Sequence, residues 1–323
     1  MQLIESLKAQ IEGKQIKIVL PEGTEPRILE AAARLHSEKI LVPVLIGNVD
    51  AVKAKANEIG VSVEGIEIID PTTYDKFDEM VASFVERRKG KATEEDARKI
   101  LLDENYFGTM LTYMGLVDGM VSGAVHSTGD TVRPALQIVK TKPGVSRTSG
   151  AFVMIKGDTK YIFGDCAINI ELDAEGLAGV AVESAKTAKM FGIDPKVAML
   201  SFSTKGSAKH ELATKVAEAT KLAHELDPEL ALDGELQFDA AIVESVGKQK
   251  APESKVAGEA NVFIFPSLEA GNIGYKIAQR LGGFEALGPI LQGLNKPITD
   301  LSRGCSAEDV YKLSIITACQ SLI

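Results

Sequence analysis

The stretch KIVLPEGTEPRILEAAARLHSEKILVPVLIG (residues 17–47) decides the fold class. KIVL is a short apolar run closed by Pro-Glu-Gly, which reads as a strand ending in a turn. EPRILEAAARLHS (25–37) then spaces its apolar residues at the helical period, and LVPVLIG (41–47) is a second apolar run ended by glycine. The alternation continues. VDAVKAKANEIG (49–60) predicts a helix stopped by glycine, and IEIID (66–70) a third strand. Residues 74–115 are predicted largely helical, and GLVDGMVSGAVHS (115–127) is a strand running into a glycine-rich loop. Alternating strands and helices favour a parallel sheet covered on both faces.

Near residue 145 the pattern changes. AFVMIKGDTKYIFGDCAINI (151–170) holds two apolar runs around Lys-Gly-Asp-Thr, a hairpin signal. Alternation resumes with a helix at 173–191, KVAMLSF (196–202) as a strand, a helix at 208–226 and ANVFIFPS (260–267) as a strand. A helix at 270–281, the segment ALGPILQGL (286–294) and a final helix from 307 complete the chain.

A length of 323 residues suggests two domains. Hydrophobic residues at 45% and charged residues at 25% describe a folded globular chain, not a disordered one. Cysteines 166, 305 and 319 form no disulfide framework, and residues 1–14 lack a signal-peptide core. A reducing, cytoplasmic setting is therefore expected. No apolar run is long enough to span a bilayer. The net charge of −9 argues against nucleic-acid and anionic-membrane partners, which need a basic face. A small anionic substrate needs only a local cationic pocket. Arginine, the better bidentate partner for phosphate, is scarce beside lysine, so its positions carry the most information.

Standard nucleotide and hydrolase fingerprints are missing: no P-loop, no G-x-G-x-x-G after the first strand, no H-E-x-x-H and no G-x-S-x-G. Five other stretches can carry chemistry. SGAVHSTGDTVRP (122–134) lies between a predicted strand and helix, where anions meet backbone N–H groups; Ser127, Thr128 and Arg133 stand in it. The plain alternative is that Ser127 or Thr131 caps a helix and Arg133 is solvated. In DLSRGCSAEDVYKL (300–313), Ser302 and Arg303 precede a helix, and Ser306 and Asp309 have capping-box spacing. On spacing alone Asp309 reads as a cap rather than a base. Glu86-Arg87-Arg88-Lys89 reads as a solvated helix face on which at most one arginine meets a given pocket. SFSTKGSAKH (201–210) offers Lys205 to a phosphate-bearing ligand or is only a turn. LDGELQFDAA (232–241) holds Asp233, Glu235 and Asp239, three carboxylates that either hold a divalent metal or, as we favour, are solvated or cap a helix. Cys166 has no histidine beside it in sequence, so a buried inert thiol is the expectation.

Read together, KIVLPEG, FVERRKGKAT, LLDENYFGTMLTYMGLVDGMVSGAVHSTGDTVRPALQIVKT, SFSTKGSA, LDGELQFDAA, FPSLEAGNIGYKIAQRL and DLSRGCSAEDV resemble the bacterial phosphate acetyltransferase (phosphotransacetylase) family. The resemblance is collinear from about residue 15 to the C-terminus. It implies an α/β fold of the isocitrate/isopropylmalate-dehydrogenase-like type, with parallel-rich sheets flanked by helices. One domain would take residues 1–145 plus 296–323, the other 146–295, with the active site in the cleft between them. It implies a homodimer, no metal and no permanently bound cofactor. The substrates would be acetyl-CoA, CoA, phosphate and acetyl phosphate. Carried over residue by residue, Asp309 would be the base for the CoA thiol, Ser302 and Arg303 a catalytic pair, and Arg133 a further catalytic group. Arg87 and Cys166 would be cleft residues. Ser127, Thr128 and Lys205, from the reading of their own stretches, are expected to join them in binding substrate.

Three rival readings remain at this point. A phosphate acyltransferase for a longer chain such as butyryl would differ only in pocket volume, where one methylene is worth about 1–3 kcal/mol. A metal-dependent hydroxyacid dehydrogenase would use Asp233, Glu235 and Asp239. A regulatory acetyl-CoA-binding domain would bind without turnover.

Overall fold

The computed structural model describes residues 2–323. In chain order its first elements are α1 (Gln2–Ile11), β1 (Lys17–Leu20), α2 (Pro26–Ser37), β2 (Val42–Ile46), α3 (Val49–Ile59) and β3 (Glu67–Ile69). Next come α4 (Phe77–Arg88), α5 (Glu94–Ile100), α6 (Glu104–Tyr113), β4 (Gly119–Ser122) and α7 (Thr128–Pro134). A hairpin of β5 (Ser149–Lys156) and β6 (Thr159–Gly164) follows, then α8 (Ala174–Met190), β7 (Val197–Leu200), α9 (Glu211–Leu226) and β8 (Leu232–Leu236). The rest is α10 (Phe238–Ile242), α11 (Glu244–Lys250), β9 (Val262–Ile264), α12 (Leu268–Arg280), β10 (Glu285–Gln292), β11 (Ile298–Asp300) and α13 (Ala307–Gln320).

The chain divides into two compact units. One holds the residues up to Thr141 together with Leu294–Ile323, and the other Lys142–Gly293. The first unit is built on a five-stranded sheet in the order β11-β4-β1-β2-β3, every neighbouring pair parallel. Ile18, Val19 and Leu20 of the central β1 have no exposed surface, and Leu45, Ile46, Met120 and Val121 beside them are equally buried. Burying each such side chain contributes roughly 1.5–3 kcal/mol. Helix α2 turns Ile28, Leu29, Ala31, Ala32 and Leu35 inward, one stripe of a 3.6-residue period. Glu25 accepts from the first-turn N–H of Arg27, and Pro26 opens the helix where a missing N–H costs nothing.

The second unit has a six-stranded sheet, β10-β5-β6-β9-β7-β8. The β10-β5 and β5-β6 pairs are antiparallel; the other three are parallel. The Lys-Gly-Asp-Thr turn is the hairpin turn, with Gly157 at φ +60°. Five elements go beyond the sequence reading. Residues 2–11, 238–242 and 244–250 are helical, LDGEL is the edge strand β8, and residues 298–300 form the short strand β11. After Pro134 the helix slips into a π-helical turn, Ala135–Val139, because proline cannot donate to the carbonyl four residues before it.

Candidate functional site

Strands β11, β4 and β1 are adjacent and parallel, so the loops that follow them leave the same edge of the sheet. Ligands bind at this edge in open α/β sheets. The three loops are residues 21–25 after β1, 123–127 after β4 and 301–306 after β11. β1 is also where the strand order reverses, since the chain steps to β2 and β3 on one side and to β4 on the other.

The first loop ties the other two together. The Glu22 carboxylate accepts from four successive backbone N–H groups: Gly123 (3.2 Å), Ala124 (2.8 Å), Val125 (2.8 Å) and His126 (3.1 Å). The His126 Nδ1 lies 2.8 Å from the same carboxylate. Arg27 reaches both neighbours. Its guanidinium donates to the Ala124 carbonyl (2.9 Å) and to the carbonyls of Arg303 (2.8 Å) and Cys305 (2.9 Å), while Glu25 holds its Nε at 2.6 Å. Gly123 is required at this junction. Its φ is +116°, and a Cβ would lie 2.7 Å from Asp300 Oδ1 and from the Leu301 backbone. The sequence offers this stretch either to a ligand anion at the helix start or to a plain helix cap; Ser127 is the cap, and the N–H groups of 123–126 hold an internal carboxylate. Glu22 and Arg27 were missed altogether, although Pro-Glu-Gly and Glu-Pro-Arg directly after a strand were the available signal.

Of the groups expected to meet substrate, Ser127, Ser302 and Arg303 fall on these loops, and Thr128, Arg133 and Asp309 on the helices that follow them. Arg303 and Ser302 are exposed, and Ser302 Oγ accepts from Gly304 N at 3.2 Å. Asp309 closes a capping box. Its Oδ2 accepts from Ser306 N and Oγ, both at 2.8 Å, and Ser306 Oγ accepts from Asp309 N at 3.2 Å. Its Oδ1 makes no hydrogen bond among the described residues. Ser127 forms a second box with Asp130, donating to Oδ2 at 2.6 Å, so its hydroxyl is already engaged. Thr128 and Arg133 are exposed, and the Arg133 guanidinium has no hydrogen-bond partner among the described residues. Its terminal nitrogen passes 3.8 Å from where a Cβ on Gly129 would stand. His126 turns to Glu22 and Ser127 to Asp130, so the two do not form a nucleophile–base pair.

Arg87 is differently placed. Its guanidinium donates to the carbonyls of Ile138 (2.5 Å) and Val139 (3.1 Å) and lies 4.8 Å from the centre of the Tyr113 ring. It therefore satisfies two carbonyls at the end of the π turn, where a cation is favoured. Arg98 pairs with Asp78 and Glu94 at the surface.

Two carboxyl groups near the loops are held above their ordinary range. Burial pushes Glu104 up to about 7, and the Glu22 and Asp103 charges add to it against the opposing effect of His126. Asp300, at the end of β11 and 2% exposed, rises to about 6, mainly through burial. Thr128 and Thr131 lie close enough to moderate that rise, yet Oδ1 lacks a hydrogen bond of good geometry. A carboxyl raised in the fold disfavours its own ionisation there. Its stability deficit is absent below pH 3.8, grows as pH climbs, and is complete above about 6. Asp300→Asn is therefore expected to melt several degrees above wild type at pH 8 and close to it at pH 4, for a gain of about 2–3 kcal/mol. Thermal melts at the two pH values check this. An equal gain at both would show that the buried charge is not the cause.

A family model described as Phosphate acetyl/butaryl transferase matches residues 2–318. The chain belongs to this family. Phosphate acetyltransferase of Bacillus subtilis strain 168 is 63% identical over 320 residues, covering 99% of each chain. That of Staphylococcus epidermidis ATCC 12228 is 64% identical over 326 residues, again 99% of each. Among solved structures, a phosphotransacetylase from Streptococcus pyogenes superposes with a TM-score of 0.98 at 60% identity, covering 99% of this chain and 98% of that one. A branched-chain phosphotransacylase from Enterococcus faecalis shares the fold at 17% identity and a TM-score of 0.67.

Membership of the phosphate acetyl/butaryl transferase family removes the dehydrogenase reading, and the three carboxylates that carried it are committed elsewhere. Asp233 pairs with Lys205, and Asp239 with Lys250 at 2.8 Å. Glu235 accepts from Ser203 Oγ (2.9 Å) and Gly206 N (2.7 Å). Lys205, expected to meet substrate, thus has its ammonium on Asp233 and the Gly234 carbonyl (2.9 Å). Cys166 lies in the apolar core of the second unit with Phe152, Phe163 and Phe265. Burial, and then the Asp165 charge, push its thiol well above the ordinary range, so it is no thiolate at neutral pH.

Proposed function

We propose that this chain is a phosphate acetyltransferase that moves an acetyl group reversibly between CoA and inorganic phosphate. The observation that carries the reading is the junction made by Glu22 and Arg27. It brings Ser127, Thr128 and Arg133 to the same sheet edge as Ser302, Arg303 and Asp309. Identity of 63–64% to proteins named phosphate acetyltransferase supports acetyl over butyryl.

In the direction of acetyl-CoA synthesis, Asp309 takes the thiol proton through Oδ1. The sulfur attacks the carbonyl carbon of acetyl phosphate. Ser302 donates to the developing oxyanion, and Arg303 and Arg133 hold the phosphate as the C–O bond breaks. Both substrates sit together, so no acyl-enzyme forms and no resident cofactor is needed. Cys166 is a packing residue in this scheme. Phosphate-dependent thiol release from acetyl-CoA, and release with arsenate in its place, tests the reaction. Butyryl-CoA turned over faster than acetyl-CoA would overturn the acyl assignment.

The active form is a homodimer in the cytoplasm, where the three free, buried cysteines stay reduced. Helix α12 supports the assembly. Ile273 and Ile277 on it and Leu281 at its C-cap repeat every four residues and are 58%, 54% and 85% exposed, with Ile170 beside the helix start. A second copy would cover this stripe. The double variant Ile273→Asp, Ile277→Asp is expected to elute as a monomer where wild type elutes as a dimer. Light scattering on the two proteins decides.

A further inference from the structure

We infer that Glu22 is a positioning residue for the transfer reaction: its carboxylate fills the N–H nest of residues 123–126 and so fixes where Ser127, Thr128 and Arg133 stand against segment 302–309. The inference rests on the acetyltransferase reading and goes beyond it, because Glu22 touches no substrate in that scheme.

Four successive N–H groups converging on one point form a concavity that binds an anion. In this chain the anion is built in. Oε1 accepts from Val125 N and His126 N and lies against His126 Nδ1, while Oε2 accepts from Gly123 N and Ala124 N. The Glu22 side chain is only 1% exposed, so no solvent molecule can replace these bonds without the loop moving. Residue 127, the first beyond the nest, is the N-cap of α7, and Arg133 lies in that helix's last turn. A shift of the 123–126 backbone therefore moves every candidate substrate group on this loop together. Arg27 holds the other side of the junction through the Ala124 carbonyl, so segment 22–27 grips the loop by its N–H groups and by one of its carbonyls.

The two carboxylate oxygens are both needed. Glu22→Gln keeps one acceptor and turns an NH2 toward two N–H donors, which forces the loop away. Misplacing reacting groups by about 1 Å costs on the order of 10²-fold in rate. The expected result for Glu22→Gln is a fall of about that size in kcat, a raised KM for acetyl phosphate and a melting temperature within a few degrees of wild type. Glu22→Ala empties the nest, and formate, a single free carboxylate, should restore part of its turnover in a saturable way, because an N–H concavity binds an anion. A residue that only stabilises the fold gives no such rescue. Asp70→Asn is the control. Asp70 closes a comparable network with Thr72 and Asn48 at the end of β3, on the far side of the sheet, and its loss should leave kcat and KM unchanged.

Wild-type kcat and KM in folded Glu22→Gln, or no rescue of Glu22→Ala by formate, would overturn the inference. Should the variants not fold, hydrogen exchange on the wild type still decides. The amides of residues 123–126 must exchange as slowly as those of β4, and fast exchange sinks the proposal. Arg133→Ala and Arg303→Ala assayed alongside separate the two readings. If they lose turnover and Glu22→Gln does not, only this inference fails; if they too keep it, the acetyltransferase site itself is misplaced.

Discussion

Arg303→Ala and Arg133→Ala should each lose at least ~10²-fold in turnover, taking ~3 kcal/mol as the usual cost of removing a donor aimed at developing charge. A guanidinium already bound to protein carbonyls has little left for a ligand. Arg27 and Arg87 are in that position, held on backbone carbonyls at 2.5–3.1 Å. Arg133 and Arg303 are exposed, one in the short helix after β4 and one on the loop after β11, with no hydrogen bond from either guanidinium to a described residue. In a chain of net charge −9, a phosphate needs such local cations to overcome the general repulsion. Arg→Lys should rescue little at either position, because a point charge does not replace a planar fork on phosphate oxygens. Steady-state thiol release by the four variants, each checked for folding by circular dichroism, is the measurement. Turnover like wild type in both alanine variants would remove these residues from the mechanism. Arg87→Ala should behave differently, loosening the 138–139 backbone and the melting temperature before it affects phosphate.

What the sequence disclosed and what it hid follow one physical rule. Periodicity reports an element that buries a regular face. β1, α2, β2 and the β5–β6 hairpin were legible because their apolar residues repeat at 3.6 or alternate with turn signals. β8 was not, because Asp233 and Glu235 interrupt it, and their charges are met by Lys205 and by Ser203 and Gly206 from another loop. β11, three residues long, is too short to show a period. The junction was hidden for the same reason. Glu22 meets Ala124 at a separation of 102 residues, and Arg27 meets Arg303 at 276. Neither pairing leaves a local trace, so Pro-Glu-Gly read only as a turn. The candidate residues on the 122–134 and 300–313 stretches came from strand-then-helix context and from the resemblance. The internal anion that orders the first of those stretches needed coordinates.

Asp309→Asn should cut kcat by ~10²–10⁴-fold in both directions and barely change the melting temperature. Spacing reads Asp309 as a cap and the family resemblance makes it a base, and both roles place the carboxylate at the start of α13. The geometry shows that one residue can serve both. Oδ2 receives the two bonds from Ser306, and Oδ1 is left without a partner among the described residues. Asparagine can keep its single oxygen on Ser306 and present NH2 where Oδ1 stood. The cap survives, and the proton acceptor is gone. Asp309→Ala removes both functions, so it should lose the same activity and in addition about 0.5–2 kcal/mol of stability. The two variants therefore share a kinetic defect and differ in melting temperature. Stopped assays of thiol consumption and release, beside thermal melts, resolve the pair. If Asp309→Asn keeps most of its turnover while Asp309→Ala melts early, the carboxylate is a cap alone. Carbon–sulfur bond formation would then start from CoA that enters already as thiolate, and the cation at Arg303 would become the group that favours it.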